Sequence, residues 1–126
     1  MNEERSVNEK TVKSEDILLK IEDLSVGFRI GKKMVNAVEG LSLEVRKGET
    51  LGLVGESGSG KSVTVTSILK LLPSNAVISS GRIIYKGRDL VLLSEKEMQK
   101  IRGNEISMIF QDPMTSLNPV FTVENQ

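Results

Sequence analysis

The sequence of 126 residues contains no cysteine and no histidine. The first absence excludes disulfide staples, thiolate metal sites and thiol nucleophiles. The second removes the commonest general base and transition-metal ligand, so any chemistry rests on carboxylates, Lys, Ser/Thr, Gln or backbone groups. Aromatic residues make up only 3% of the chain, namely Phe28, Tyr85, Phe110 and Phe121. A core with so few rings must be built from Ile, Leu and Val. Neither charge dominates, with 17 basic residues against 17 acidic ones, which gives no ground for a nucleic-acid groove or a polybasic membrane patch. No apolar run approaches the roughly 20 residues that cross a bilayer as a helix.

What is present is ordinary for a folded domain. The apolar share is 38%, enough to exclude disorder throughout, and the length suits one small domain. Residues Met1 to Asp16 are crowded with charge (Glu3, Glu4, Arg5, Glu9, Lys10, Lys13, Glu15, Asp16) and lack the apolar stretch of a secretory signal. They read as a disordered, solvated leader, and residues 17–126 as the folded part.

Alternation begins at Ile17, Leu19 and Ile21, then resumes out of phase at Leu24, Val26, Phe28 and Ile30. The slip at Glu22-Asp23 predicts a bulge in one long strand, or two short strands. Gly31-Lys32-Lys33 is a turn, Val35 and Ala37 open an extended run, and Leu41, Leu43 and Val45 alternate with Ser42, Glu44 and Arg46 as a half-buried strand closed by Lys47-Gly48. This first third predicts antiparallel sheet. Leu51-Gly52-Leu53-Val54 then runs apolar without alternation, as a strand covered on both faces would. After a glycine loop, Val65, Ile68, Leu69 and Leu72 mark a helix stripe ended by Pro73. Gly81 to Tyr85 predicts a strand with a Lys86-Gly87 turn. Ser94 and Glu97 form a capping box for a short helix from about Glu95 to Arg102, stapled by Leu93 and Met98. Ile106 to Phe110 predicts another apolar strand, followed by a loop. Thr122 reads as the N-cap of a helix that Gln126 cuts short, which predicts a truncated chain.

Residues Gly55-Glu56-Ser57-Gly58-Ser59-Gly60-Lys61-Ser62 match G-x-x-x-x-G-K-[ST] completely, between a predicted strand and a predicted helix. Glycines let backbone N–H groups approach phosphate oxygens. The first-turn amides of Lys61, Ser62 and Val63 lie at the positive end of a helix dipole. In this motif the Lys61 ammonium reaches the β- and γ-phosphates, and the Ser62 hydroxyl ligates Mg²⁺. Taken alone, the motif also admits a small-molecule kinase or a GTPase. An antiparallel segment ahead of it, and no N-K-x-D, disfavour both.

The run from Gly48 to Ser62 resembles the Walker A region of ABC-transporter ATPases. The run Met108-Ile109-Phe110-Gln111-Asp112-Pro113-Met114-Thr115-Ser116-Leu117-Asn118-Pro119 is similar to the Q-loop of their oligopeptide/dipeptide importer branch, which also includes nickel importers. The similarity extends from about Leu18 to Gln126. It implies an α/β fold of the P-loop NTPase class, with an antiparallel β subdomain and a partial parallel core sheet, stopping before the helical subdomain and the Walker B strand. Phe28, otherwise a core ring on a strand, lies where the family stacks an aromatic on adenine, with Val35 behind it. Gln111, otherwise a surface amide, lies where the family contacts Mg²⁺ and the attacking water. The loop from Asp112 to Pro119 would meet a membrane-spanning permease subunit, and a second ATP-binding subunit would complete the family's assembly at the cytoplasmic face of the membrane. Val63 departs from the Thr that many members carry, which removes a side-chain bond to the α-phosphate and keeps the amide. The signature motif, the Walker B Asp, the catalytic Glu and the switch His are not in this chain. The resemblance therefore implies an ATP- and Mg²⁺-binding fragment of a peptide importer subunit with no catalytic residues of its own and little or no turnover. The alternative is a truncated product without function.

Overall fold

A computed structural model of the chain describes residues 16–112 and 119–125. The expected leader, apart from Asp16, and the Pro113–Asn118 part of the expected Q-loop fall outside the described residues. The chain divides into two compact units, residues 1–93 and 94–126.

The first unit is a four-stranded antiparallel sheet. Its strands are β1 (Ile17–Ile30), β2 (Lys33–Arg46), β3 (Ala76–Tyr85) and β4 (Arg88–Asp89), in the order β2-β1-β3-β4. The out-of-phase alternation is one long strand: β1 shifts register between Ile21 and Leu24 against β2, and between Glu22 and Ser25 against β3. Asp23 occupies the bulge with a left-handed backbone, φ 46°. Both flanking strands bond to it, β3 through Ser80 Oγ, which donates to Asp23 O at 3.5 Å, and β2 through two further bonds. Ser42 Oγ accepts the Asp23 N–H at 2.9 Å, and Ser25 Oγ accepts the Gly40 N–H at 2.9 Å. Opposite the bulge, Gly81 has φ 94°, and a Cβ there would meet Leu24 Cα at 2.5 Å and Asp23 O at 2.6 Å. Only glycine lets the two backbones approach this closely.

The alternation in Leu41, Leu43 and Val45 holds, each half-buried between exposed neighbours. Ile21, Leu24, Val26, Val38, Leu69, Ile83, Tyr85 and Leu90 form the buried core of this unit, aliphatic but for one ring. On the sheet surface Lys20 Nζ lies 2.8 Å from Glu22 and 3.5 Å from Glu44. The hydrogen bond to Glu22 and the charge of that carboxylate raise the Lys20 pKa. The same hydrogen bond lowers that of Glu22, against a partial desolvation that pushes it up.

Helix α1 (Lys61–Ile68) is two turns long and stops well before Pro73. Lys70 stops it by adopting φ 51°. The Lys70 N–H donates to Ser67 O at 3.1 Å and the Leu71 N–H to Thr66 O at 2.9 Å, the paired bonds of a Schellman motif. The Lys70 ammonium donates to Val91 O and Leu93 O, at 3.2 and 2.7 Å. These carbonyls close a 3₁₀ turn at Leu90–Leu92. The expected stripe is only partly buried: Val65 is exposed, and Thr64 and Ser67 are the buried residues of α1.

The expected strand at Leu51–Val54 does not form. The segment makes no ladder bonds, and Val54 is 94% exposed. A strand requires a neighbour for its N–H and C=O groups, and no described strand lies against this one.

The second unit carries α2 (Glu95–Ile101), which buries Met98 and Ile101. Its capping box forms as expected: the Glu97 N–H donates to Ser94 Oγ at 3.3 Å, and the Ser94 N–H to Glu97 Oε2 at 2.8 Å. Arg102 pairs with Glu95 along the helix. The expected strand Ile106–Phe110 reduces to one isolated parallel bridge between Arg102 and Ile106. Ile109 is 91% exposed. Among the described residues there is thus an antiparallel sheet and no parallel core sheet, because both segments expected to build the latter lack ladder partners. A short 3₁₀ turn, Val123–Asn125, follows Thr122.

Candidate functional site

The glycine loop joins residues 51–54 to the N-terminus of α1. Ser57 and Gly58 form a turn, and the Ser59 N–H donates to Glu56 O at 3.1 Å. The chain therefore curls on itself before entering the helix. Gly60 is the N-cap, at φ 88° and ψ 7°, and contributes no side-chain cap. The first intrahelical bond runs from the Thr64 N–H to Gly60 O at 2.9 Å. Helix geometry leaves the N–H groups of Lys61, Ser62 and Val63 without intrahelical acceptors. No acidic residue occupies the first turn. Orphan donors and the positive dipole end thus coincide, which is the electrostatic requirement for holding an anion.

Lys61 folds over the loop. Its ammonium donates to Gly55 O at 2.5 Å, Glu56 O at 2.6 Å and Ser59 Oγ at 2.9 Å. Three acceptors from the loop therefore converge on one cation, and they fix its curvature. Gly55 is small for this reason: a Cβ there would lie 2.5 Å from Ser59 Oγ. A polyphosphate entering the nest would offer the ammonium full negative charges in exchange for these neutral acceptors, a stronger partnership.

The loop is seated on β2. A Cβ on Gly60 would meet Ala37 O at 2.7 Å and Val38 Cγ2 at 3.0 Å. Val26 pairs with Val38 and Gly27 with Asn36, so Ala37 is an extra residue on β2 at this point. Such bulges redirect the backbone locally. Ala37, Val38, Glu39 and Leu41 of β2 join Leu53, Val54, Ser59, Gly60, Lys61 and Thr64 around a cleft of about 310 Å³. Sequence reading did not single out Ala37 or Thr64. The only available sign was Thr64, a hydroxyl four residues after Gly60.

Phe28 is half-buried on β1, directly opposite Val35 on β2 and Ala76 on β3. Cross-strand partners share a face, so Phe28 and Val35 lie side by side, and Val35 is two residues from the loop's seat at Ala37. Gln111 is an exposed residue at a bend after Phe110, in the second unit. No group of three acidic or histidine side chains suited to a metal occurs among the described residues. No helix of the described residues is long and apolar enough to cross a membrane.

The profile of the ABC transporter family matches residues 38–126. The chain is 54% identical over 110 residues to the oligopeptide transport ATP-binding protein OppD of Bacillus subtilis (strain 168), covering 86% of this chain and 31% of that protein. It is 50% identical over 113 residues to the dipeptide transport ATP-binding protein DppD of Lactococcus lactis subsp. cremoris (strain MG1363), covering 90% and 32%. The chain thus spans about a third of the length of these curated relatives. Among solved structures, the ATP-binding cassette MJ0796, a dimer in a post-hydrolysis state bound to ADP and Pi, superposes with a TM-score of 0.59 at 24% identity, over 67% of this chain and 34% of that one. At that identity the likeness speaks for the fold alone.

Proposed function

The chain belongs to the ABC transporter family, and from that premise we propose that it is the nucleotide-gripping, N-terminal part of the ATP-binding subunit of a peptide importer. The observation that carries this reading is the curled loop from Gly55 to Ser62, with an uncapped helix N-terminus behind it and the Lys61 ammonium across it. Its relatives are named for oligopeptide and dipeptide transport.

In this reading the amides of Gly58, Gly60, Lys61, Ser62 and Val63 hold the β-phosphate, and Lys61 exchanges its loop acceptors for phosphate oxygens. Glu56, Ser57 and Ser59 contribute backbone to the cradle. Phe28 stacks on the adenine beside Val35, a contact worth on the order of 1 kcal/mol. The residues present fit Mg²⁺ in the way this ion is usually held with nucleotides. The protein offers the Ser62 hydroxyl at the first turn of α1 and phosphates supply the charge, so no carboxylate cluster is needed. For Gln111 the proposed role, which rests on the family resemblance alone, is contact with Mg²⁺ and the attacking water. The segment from Asp112 to Pro119 is the contact for the membrane-spanning subunit, which places the protein peripherally at the cytoplasmic face of the membrane, paired with a second ATP-binding subunit.

The 126 residues by themselves bind nucleotide and do not turn it over. The expected result is a thermal midpoint that rises with Mg-ATP, by an amount equivalent to about 2.7 kcal/mol at a hundredfold excess over Kd, with phosphate release indistinguishable from buffer. Steady phosphate release that disappears in Lys61→Ala would contradict the absence of turnover.

A further inference from the structure

Helix α1 buries hydroxyls where an ordinary core-facing helix buries methyl groups. Thr64 is 3% exposed and Ser67 is fully buried. Thr64 Oγ1 donates to Gly60 O at 2.8 Å, and the Thr64 N–H donates to the same oxygen at 2.9 Å. Thr66 Oγ1 donates to Ser62 O at 2.8 Å and to Val63 O at 3.2 Å. Back-bonding of this kind slightly destabilises a helix and often bends it; it satisfies the buried hydroxyls, and at Thr64 and Thr66 it also adds a second donor to carbonyls of the first turn.

The peptide unit is planar, so the carbonyl of one residue and the N–H of the next turn together. The Gly60 carbonyl shares its plane with the Lys61 N–H, and the Ser62 carbonyl with the Val63 N–H. Gly60, at φ 88°, is the position in the helix cap with the widest choice of backbone angles. A second donor on its carbonyl holds that oxygen along the helix axis. The Lys61 amide is then held in the opposite direction, into the loop. We propose that the hydroxyls of Thr64 and Thr66 are positioning groups for the anion nest, setting the peptide planes whose Lys61 and Val63 amides face the phosphate. The proposal rests on the reading of this loop as a nucleotide grip and adds residues that touch no ligand themselves.

The test compares Thr64→Val, which keeps the shape and removes the hydroxyl, with Thr64→Ser, which keeps the hydroxyl, in the full 126-residue chain. Two readouts are taken: the amide NMR signal of Lys61 without nucleotide, and the Kd for Mg-ATP. Thr64→Val is expected to shift or broaden the Lys61 amide and weaken Mg-ATP about fivefold, the scale of one neutral hydrogen bond. Its melting temperature is expected to stay near that of the parent. Thr64→Ser should restore both readouts to within twofold. An unchanged Lys61 amide in Thr64→Val, or a loss that Thr64→Ser does not rescue, would overturn the proposal. Should Thr64→Val fail to fold, Thr66→Val at a half-buried position reads the same brace through the Val63 amide. If the parent chain binds no Mg-ATP, the proposed function fails, while the nucleotide-free amide comparison still decides this inference.

Discussion

Replacing Gly60 by alanine probes the seat of the loop on β2, and Gly58→Ala supplies its control. Both glycines have similar left-handed backbones, φ 88° and φ 80°. They differ in surroundings. A Cβ on Gly60 would lie 2.7 Å from Ala37 O and 3.0 Å from Val38 Cγ2, and one on Gly58 meets nothing within 4 Å. Both variants incur the left-handed cost of an L-residue, about 1–2 kcal/mol. Both recover roughly 0.4–1 kcal/mol because alanine restricts the unfolded chain. Those contributions cancel in the comparison. What remains for Gly60→Ala is a clash with a strand carbonyl that cannot rotate aside, about 1–3 kcal/mol as for other overpacked sites. Urea denaturation followed by circular dichroism should place the Gly60→Ala midpoint well below that of Gly58→Ala at equal m-value. Against a total stability of roughly 5–15 kcal/mol, a difference of that size is measurable. Equal midpoints for the two variants would refute the reasoning, since the loop would then be lifting off β2 at no cost.

Gly81→Ala should be more damaging still, because the new Cβ would meet backbone atoms of Asp23 and Leu24 at 2.5–2.6 Å; a loss on the order of 4 kcal/mol is expected from strain and overpacking together. Gly87→Ala, in open space at φ 79°, is its control, and similar urea midpoints for the two would show that the β1 bulge does not depend on Gly81. The Lys20–Glu22 pair predicts a shallow pH dependence with two limbs. The lowered Glu22 pKa contributes stability that is present above the ordinary carboxylate value and lost as pH falls through the depressed one. The raised Lys20 pKa contributes stability that is present below the ordinary ammonium value and lost as pH rises through the raised one. Glu22→Gln should flatten the acid limb of melting temperature against pH, and an acid limb identical to the parent's would remove the pair from the account.

Local signals in the sequence carried the hairpins and caps. The phase slip at Glu22-Asp23, the turn at Gly31, and the Ser94/Glu97 box each involve partners or patterns within a few residues, and each forms as read. The glycine loop was legible for the same reason, since its eight positions encode one turn. What the sequence did not disclose depends on distant partners. Leu51–Val54 and Ile106–Phe110 have the composition of doubly covered strands, and the described residues provide no ladder partner for them, so Leu51, Leu53, Val54, Ile109 and Phe110 stand exposed. The stripe on α1 misled because Lys70 ends the helix at two turns, and because Thr64 and Ser67 satisfy their hydroxyls on their own helix and so tolerate burial. The bulge at Ala37 that receives Gly60 is a consequence of pairing with β1, and alanine carries no mark of it.

In the proposed function the loop from Gly55 to Ser62 grips a polyphosphate through its amides and Lys61. Calorimetric titration of the chain with ATP and Mg²⁺, beside Lys61→Ala, measures this most directly. The predicted result is saturable one-site binding to the parent chain that is lost or weakened at least tenfold in Lys61→Ala. No binding to a folded parent chain, or equal binding to both proteins, would contradict it.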